Sequence, residues 1–184
     1  MSTETVTLFL ALLAVLAQVA VAAALVVGLG SRWSPALGRV RTRVEAEIGP
    51  QALAMAAVVA LVCTAGSLYL SEVANFPPCR LCWFQRIAMY PQVVLLGLAA
   101  VRRDLGIRPY VIVLAALGSM VSMWHMVVER FPTLEGTSCD PLNPCSIIWI
   151  ERFGYLTIPA MALSGFALIV ALLAFAGPPP QENR

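Results

Sequence analysis

Lysine is absent from these 184 residues, histidine occurs once, and charged side chains of all kinds make up only 12%. Soluble domains carry about 25% charged and about 45–50% apolar residues, glycine included. Here 60% of the chain is apolar before its 12 glycines are counted, and the mean hydropathy is +0.83. A soluble domain is thereby excluded, because too little charge is available to cover its surface. Disorder is excluded for the opposite reason, since disordered chains are poor in apolar residues. A net charge of +2 with no clustered basic face gives no case for nucleic acid as a partner. No glycine-rich fingerprint for a nicotinamide or flavin cofactor is present. That all twelve cations are arginine is a bias of composition with no mechanism attached. What remains is an integral membrane protein of one domain, with lipid as its first partner.

A spanning helix needs about 20 mostly apolar residues. Five stretches qualify: Val6–Leu29, Ala52–Leu70, Trp83–Val101, Tyr110–Val128 and Thr157–Ala176. The first is not read as a cleaved secretory signal. MSTET carries no cation, and the apolar run exceeds the roughly 7–15 residues of a signal core. Arg32, Arg39, Arg41, Arg43, Arg102, Arg103, Arg108 and Arg184 fall on one side of a five-span arrangement, and Arg80, Arg130 and Arg152 on the other. The positive-inside rule predicts the richer side to be cytoplasmic, with the N-terminus outside and the C-terminus inside. The expected outer loops are Ser71–Cys82 and Glu129–Leu156.

Those two loops hold four of the five cysteines. Cys79 and Cys82 form a C-x-x-C where a loop enters the third span; Cys139 and Cys145 form a C-x₅-C in the other loop. Facing an oxidising compartment, the four admit three readings: two structural disulfides, a four-thiolate zinc site, or a relay of exchanging disulfides. Attachment of a c-type haem is excluded, because Trp83 follows Cys82 where histidine would be required. Zinc is disfavoured because outer thiolates meet oxidants first, and no metal is expected.

Local chemistry favours the relay. Pro77 and Pro78 end the loop, so Cys82 falls in the first helical turn, where unsatisfied N–H groups lower a thiol's pKa. Arg86 lies one turn further on the same face. Alone it reads as an interfacial anchor; beside a C-x-x-C it reads as a cation that stabilises a thiolate and the charge on an electron acceptor. With no room for a nucleotide fold, the acceptor available to the lipid phase is a quinone. Trp83, Phe84 and Tyr90 would supply a flat apolar wall, although interfacial aromatic belts are the commoner reason for such rings. His125, near the outer end of the fourth span, is either a satisfied core residue or a proton donor to a quinone oxygen. Cys63, mid-span, reads as a small core residue.

The stretch PPCRLCWFQRIAMYP, Pro77–Pro91, and the stretch CDPLNPCSIIWIERFGYLTIPAMAL from Cys139 resemble the bacterial disulfide-bond formation proteins of the DsbB/BdbC family. The likeness covers roughly residues 52–176. In the related vitamin K epoxide reductases the loop cysteines precede the C-x-x-C; here they follow it. The resemblance implies an all-α membrane protein, a four-helix transmembrane bundle. It also implies a quinone-linked oxidase that re-oxidises an extracytoplasmic thioredoxin-like thiol oxidase of DsbA/BdbD type. Carried over, Cys139 takes the partner's attack, and Cys145 attacks Cys79. Cys82 is released as a thiolate that forms a charge-transfer adduct with menaquinone or ubiquinone, and Arg86 orients the ring. The cofactor-binding set is then Arg86, Trp83 and His125. The alternatives are a non-catalytic scaffold with two structural disulfides and an epoxide reductase-like quinone enzyme.

The family usually has four spans. Residues 1–50 add a transmembrane helix and an Arg-rich segment, 51–178 form the redox domain, and 179–184 a cytoplasmic tail. The added helix is expected to be peripheral and dispensable for chemistry. Leu37, Val40, Val44 and Ile48 share one face of a helix expected on the inner membrane surface. Ser146–Phe153 is expected to lie flat at the outer one.

Overall fold

The computed structural model describes residues 2–136, 139–140 and 142–177. The expected tail, 179–184 with Arg184, lies outside the described residues. Among the described residues six α-helices follow one another: α1 (Thr3–Gly30), α2 (Pro35–Ile48), α3 (Ala52–Glu72), α4 (Arg80–Arg102), α5 (Arg108–Arg130) and α6 (Ile158–Ala174). Proline in the first turn starts α2, α5 and α6, where the missing N–H would have had no helical partner. Pro77 and Pro78 precede Cys79, the N-cap of α4. Arg103, at φ 53°, turns the chain out of that helix in the left-handed region.

Among the described residues, Thr3–Gly30, Pro35–Glu72, Arg80–Arg102 and Leu105–Arg130 are long and apolar enough to cross a membrane. The fifth expected span, Thr157–Ala176, is realised as the 17-residue α6. At 1.5 Å per residue that is about 26 Å of helix, near the lower end of what spans a bilayer. The all-α membrane architecture is as the composition requires. α2 continues through a 3₁₀ turn, Gly49–Gln51, into α3. Of its expected apolar face Leu37, Val44 and Ile48 are half-buried, while Val40 is exposed.

α3, α4, α5 and α6 close a four-helix ring in which each packs on its chain neighbour and α6 returns to α3. Two glycines permit the closest approaches. A Cβ on Gly118 of α5 would sit 2.3 Å from the Phe166 ring of α6, and one on Gly165 would sit 2.5 Å from Cys63 Sγ of α3. Leu96, Val111, Phe166, Ile169 and Leu173 fill the core of the ring. Cys63 packs against that core, as expected of a small apolar filler.

α1 lies along α6, through Ala11 and Ala14 against Leu156 and Ala160. Polar bonds hold it there. Arg152 donates to Thr7 at 2.9 Å, Gln18 donates to Ser164 at 3.0 Å, and the Tyr155 hydroxyl donates to Gln18 at 2.8 Å. The start of α1 is therefore at the end of the bundle that carries both cysteine loops. At the opposite end Gly177 N–H bonds to the Gly49 carbonyl, and Arg108 donates to the Ala176 carbonyl. Ser146–Phe153 leads into a two-residue hairpin, β1 (Glu151–Arg152) with β2 (Leu156–Thr157). Ile147, Ile148 and Trp149 are exposed there, and Trp149 stacks on Phe76 at 5.4 Å.

Gly118→Ala is expected to destabilise the bundle by about 1–3 kcal/mol, because the added methyl must displace a fully buried ring in a close-packed core. A melting temperature in detergent equal to that of the parent chain would contradict the packing described.

Candidate active site

The two cysteines of the C-x-x-C sit at the start of α4 because the prolines before it stop any earlier turn. Cys79, as N-cap, accepts the Cys82 N–H on its sulfur at 3.4 Å. Cys82 is the third residue of the helix, and its sulfur lies 2.9 Å from that of Cys79. A small side-chain rotation is enough to join them at the ordinary disulfide length of about 2.0 Å.

The neighbours of the two sulfurs differ. Cys79 is buried with Leu81, Val128, Cys139 and Cys145, and Cys139 is disulfide-bonded to Cys145. His125, on α5 and 3% exposed, joins the two pairs. Its Nε2 lies 3.0 Å from the Cys145 carbonyl and 3.7 Å from Cys79 Sγ. A carbonyl only accepts, so Nε2 carries the hydrogen, and Nδ1 is free to accept from Gln85 at 3.1 Å. The loop is fastened on both sides: Asn143 donates to the Pro78 carbonyl at 3.1 Å, and the Cys145 N–H donates to Glu135. Hydrogen bonds from Cys82 and, after it, His125 hold the Cys79 thiol below its ordinary value, against burial that pushes it up.

Cys82 lines a cavity of about 970 Å³, and Cys79 does not. Gln85, Arg86, Met89 and Tyr90 of α4 share that wall, which continues along α1, α3 and α6. Arg86 is buried and anchored on Ser67 of α3, donating from Nε to the hydroxyl and from Nη2 to the carbonyl, both at 3.0 Å. Its guanidinium carbon lies 5.2 Å from the Trp83 ring centroid and 6.0 Å from that of Tyr90. Tyr90 also donates to Ser67, at 3.2 Å.

Of the three residues expected to hold a quinone, Arg86 lines the cavity. Trp83 does not: it is half-exposed and stacks on the guanidinium from outside. His125 does not either; it stands on the Cys79 side of the pair, where its Nδ1 accepts from the lining residue Gln85. Phe84 is exposed and outside the lining, whereas Tyr90 is part of it. Ser67, Gln85, Glu135 and Asn143 were not singled out from the sequence. Their available signal was polarity in apolar or cysteine-flanking segments, which names no partner.

The cavity would fit an amphiphilic molecule. One end of the cavity presents a thiol, a fixed cation and a phenol, with Ser67 and Gln85 beside them; the remainder is largely apolar, with Gln51 at the far end. Its volume is in the usual range for small-molecule sites, about 300–1,000 Å³. Cys79, Cys82 and His125 also bring three donor atoms within 4.8 Å of one another. With Cys139 and Cys145 joined, a four-thiolate zinc site is not assembled.

The family model described as "Disulfide bond formation protein DsbB" matches residues 49–176. The disulfide bond formation protein C of Bacillus subtilis (strain 168) is 43% identical over 117 residues, 63% of this chain and 85% of that protein. A "Probable disulfide formation protein" of Oceanobacillus iheyensis is 38% identical over 117 residues, 62% of this chain and 81% of its own length. No solved structure matches the chain.

Replacing His125 by Phe removes a hydrogen bond that stabilises the Cys79 thiolate, so the titration of Cys79 in the reduced chain moves to higher pH. Peptide-level mass spectrometry after alkylation across a pH series reads that midpoint. An unchanged profile would mean that the imidazole does not act on the sulfur.

Proposed function

Because this chain belongs to the DsbB family of disulfide bond formation proteins, multi-pass membrane proteins of thiol–disulfide chemistry, we propose that it makes disulfides for a soluble partner and sends the electrons to a membrane quinone. The single observation that carries this reading is the two-sided placement of the C-x-x-C. Cys79 faces the second cysteine pair, and Cys82 faces a lipid-sized cavity beside a buried cation.

In this reading the partner is an extracytoplasmic thioredoxin-like dithiol of DsbA/BdbD type. Its thiolate attacks Cys139, breaking Cys139–Cys145 and forming a mixed disulfide. Cys145, freed as a thiolate, attacks Cys79 and breaks the oxidised Cys79–Cys82 bond, so that Cys82 leaves as a thiolate. His125 donates toward Cys79 and holds the Cys145 carbonyl, which keeps the two pairs in register for that exchange. Arg86, immobilised on Ser67, provides the positive charge that favours the Cys82 thiolate. A quinone bound in the cavity supplies the sink for two electrons and two protons per disulfide made. The cysteine loops face the outside of the cytoplasmic membrane, and the Arg-rich end faces the cytoplasm.

Anaerobic mixing of the detergent-purified chain with quinone and a reduced thioredoxin-like dithiol tests the reading through quinone absorbance. Cys82→Ser is expected to abolish quinone reduction, and Arg86→Ala to slow it at least about tenfold, the effect of roughly 1.4 kcal/mol. Full activity in Cys82→Ser would sink the relay. No reduction by the parent chain, with both disulfides surviving excess dithiol, would leave a static scaffold. A partner dithiol whose second cysteine is replaced by serine is expected to accumulate the mixed disulfide at Cys139 of the parent chain, seen as a reductant-sensitive covalent complex on a non-reducing gel.

A further inference from the structure

The cavity that begins at Cys82 does not end at the redox pair. Its lining on α3 runs from Leu70 to Ala54, about 24 Å of helix at 1.5 Å per residue, and ends at Gln51 in the 3₁₀ turn. Over that length one wall is α1, which lies outside the family match at 49–176. Leu13, Ala17, Ala24 and Val27 of α1 face α3 and α6 across the space, and Val44 and Ile48 of α2 lie at its far end. α1 meets α3 near the cysteine end, where Leu10 lies 3.1 Å from the place of a Cβ on Gly66. Further along, lining residues Leu16 of α1 and Met55 and Val58 of α3 are exposed, so the space has a sideways mouth toward lipid.

We infer that α1 is part of the acceptor site: with α3 and α6 it encloses the hydrocarbon tail of a lipid quinone whose ring lies at Cys82 and Arg86. The inference rests on the quinone-linked reading above and adds to it a tail channel built by the additional helix. Three observations argue for this occupant. The space is continuous with the thiol and cation, its walls away from them are apolar except for Gln51 at the far end, and its mouth is bordered by the exposed apolar side chains Leu16, Met55 and Val58. A small polar acceptor would leave most of those walls unfilled; a long apolar chain fills them. α1 is also tied in place by the three bonds to Arg152, Ser164 and Tyr155, which hold a wall at fixed distance.

The test compares an isoprenoid-tailed quinone with its tail-less parent ring, in naphthoquinone and benzoquinone pairs. Direct binding is measured by equilibrium dialysis alongside KM. Ala24→Phe fills the channel and Leu13→Ala removes wall contact, two changes of opposite volume. Val19→Phe, on an exposed face of α1 outside the lining, is the control. The parent chain and Val19→Phe are expected to bind the tailed quinone more tightly than the ring alone. In Ala24→Phe and Leu13→Ala that preference is expected to fall about tenfold. A preference equal to that of the parent chain in both variants, each folded by its melting curve, overturns the channel. Binding that depends on α1 but without quinone reduction overturns the quinone-linked reading and keeps the channel. Absence of binding by the parent chain overturns both.

Discussion

The start of α4 is the constraint on which the rest of the site depends. A helix preceded by two prolines must begin at Cys79, and an N-cap residue and the third residue after it lie close together at the helix end. The two sulfurs come within 2.9 Å through backbone geometry alone. They nevertheless have different neighbours, because the N-cap side chain folds back over the helix end while the third residue points along its flank. Everything else decides what each flank meets. α5 and the second loop bring His125 and the Cys139–Cys145 disulfide to one side; α3, α6 and α1 leave a cavity on the other.

Arg86 shows what it takes to keep a cation in such a place. A charged side chain well inside a bilayer costs about 2.5–3.5 kcal/mol on insertion scales. Here the guanidinium donates twice to Ser67 and lies beside two aromatic rings. Those bonds offset the loss of water and remove rotamer freedom, so the charge stays beside Cys82 instead of reaching toward the headgroups. A flexible cation would be an anchor; a fixed one is an element of the site.

Local patterns made much of this legible in advance. The apolar runs located every helix that crosses the bundle, to within a few residues at each end. The C-x-x-C after Pro77–Pro78 located the start of α4, and the spacing to Arg86 put that cation on the next turn of the same helix. Partners from other helices were not legible. Ser67 looked like any serine in an apolar run, and nothing in α4 specifies which turn of α3 faces Arg86. Trp83, next to Cys82, read either as a wall of the site or as an interfacial belt residue; it faces out and covers the guanidinium from there. His125 read equally as a satisfied core residue or as a proton donor, and only the rotation of α5 shows that it is aimed at Cys79 and at the Cys145 carbonyl.

Composition and periodicity by themselves therefore determined an all-α membrane chain, its span positions, its paired cysteines and the Cys82–Arg86 spacing. Each of these follows from bilayer thickness, helical repeat or backbone capping, which act along the chain. Only the tertiary structure decided which sulfur meets which pair, which side of the C-x-x-C His125 occupies, and that α1 walls a cavity. Those depend on the rotation and tilt at which helices distant in sequence pack, set by contacts such as Gly118 against Phe166 and Leu10 against Gly66. Such contacts are formed between faces, and a one-dimensional pattern names the face without naming what it meets.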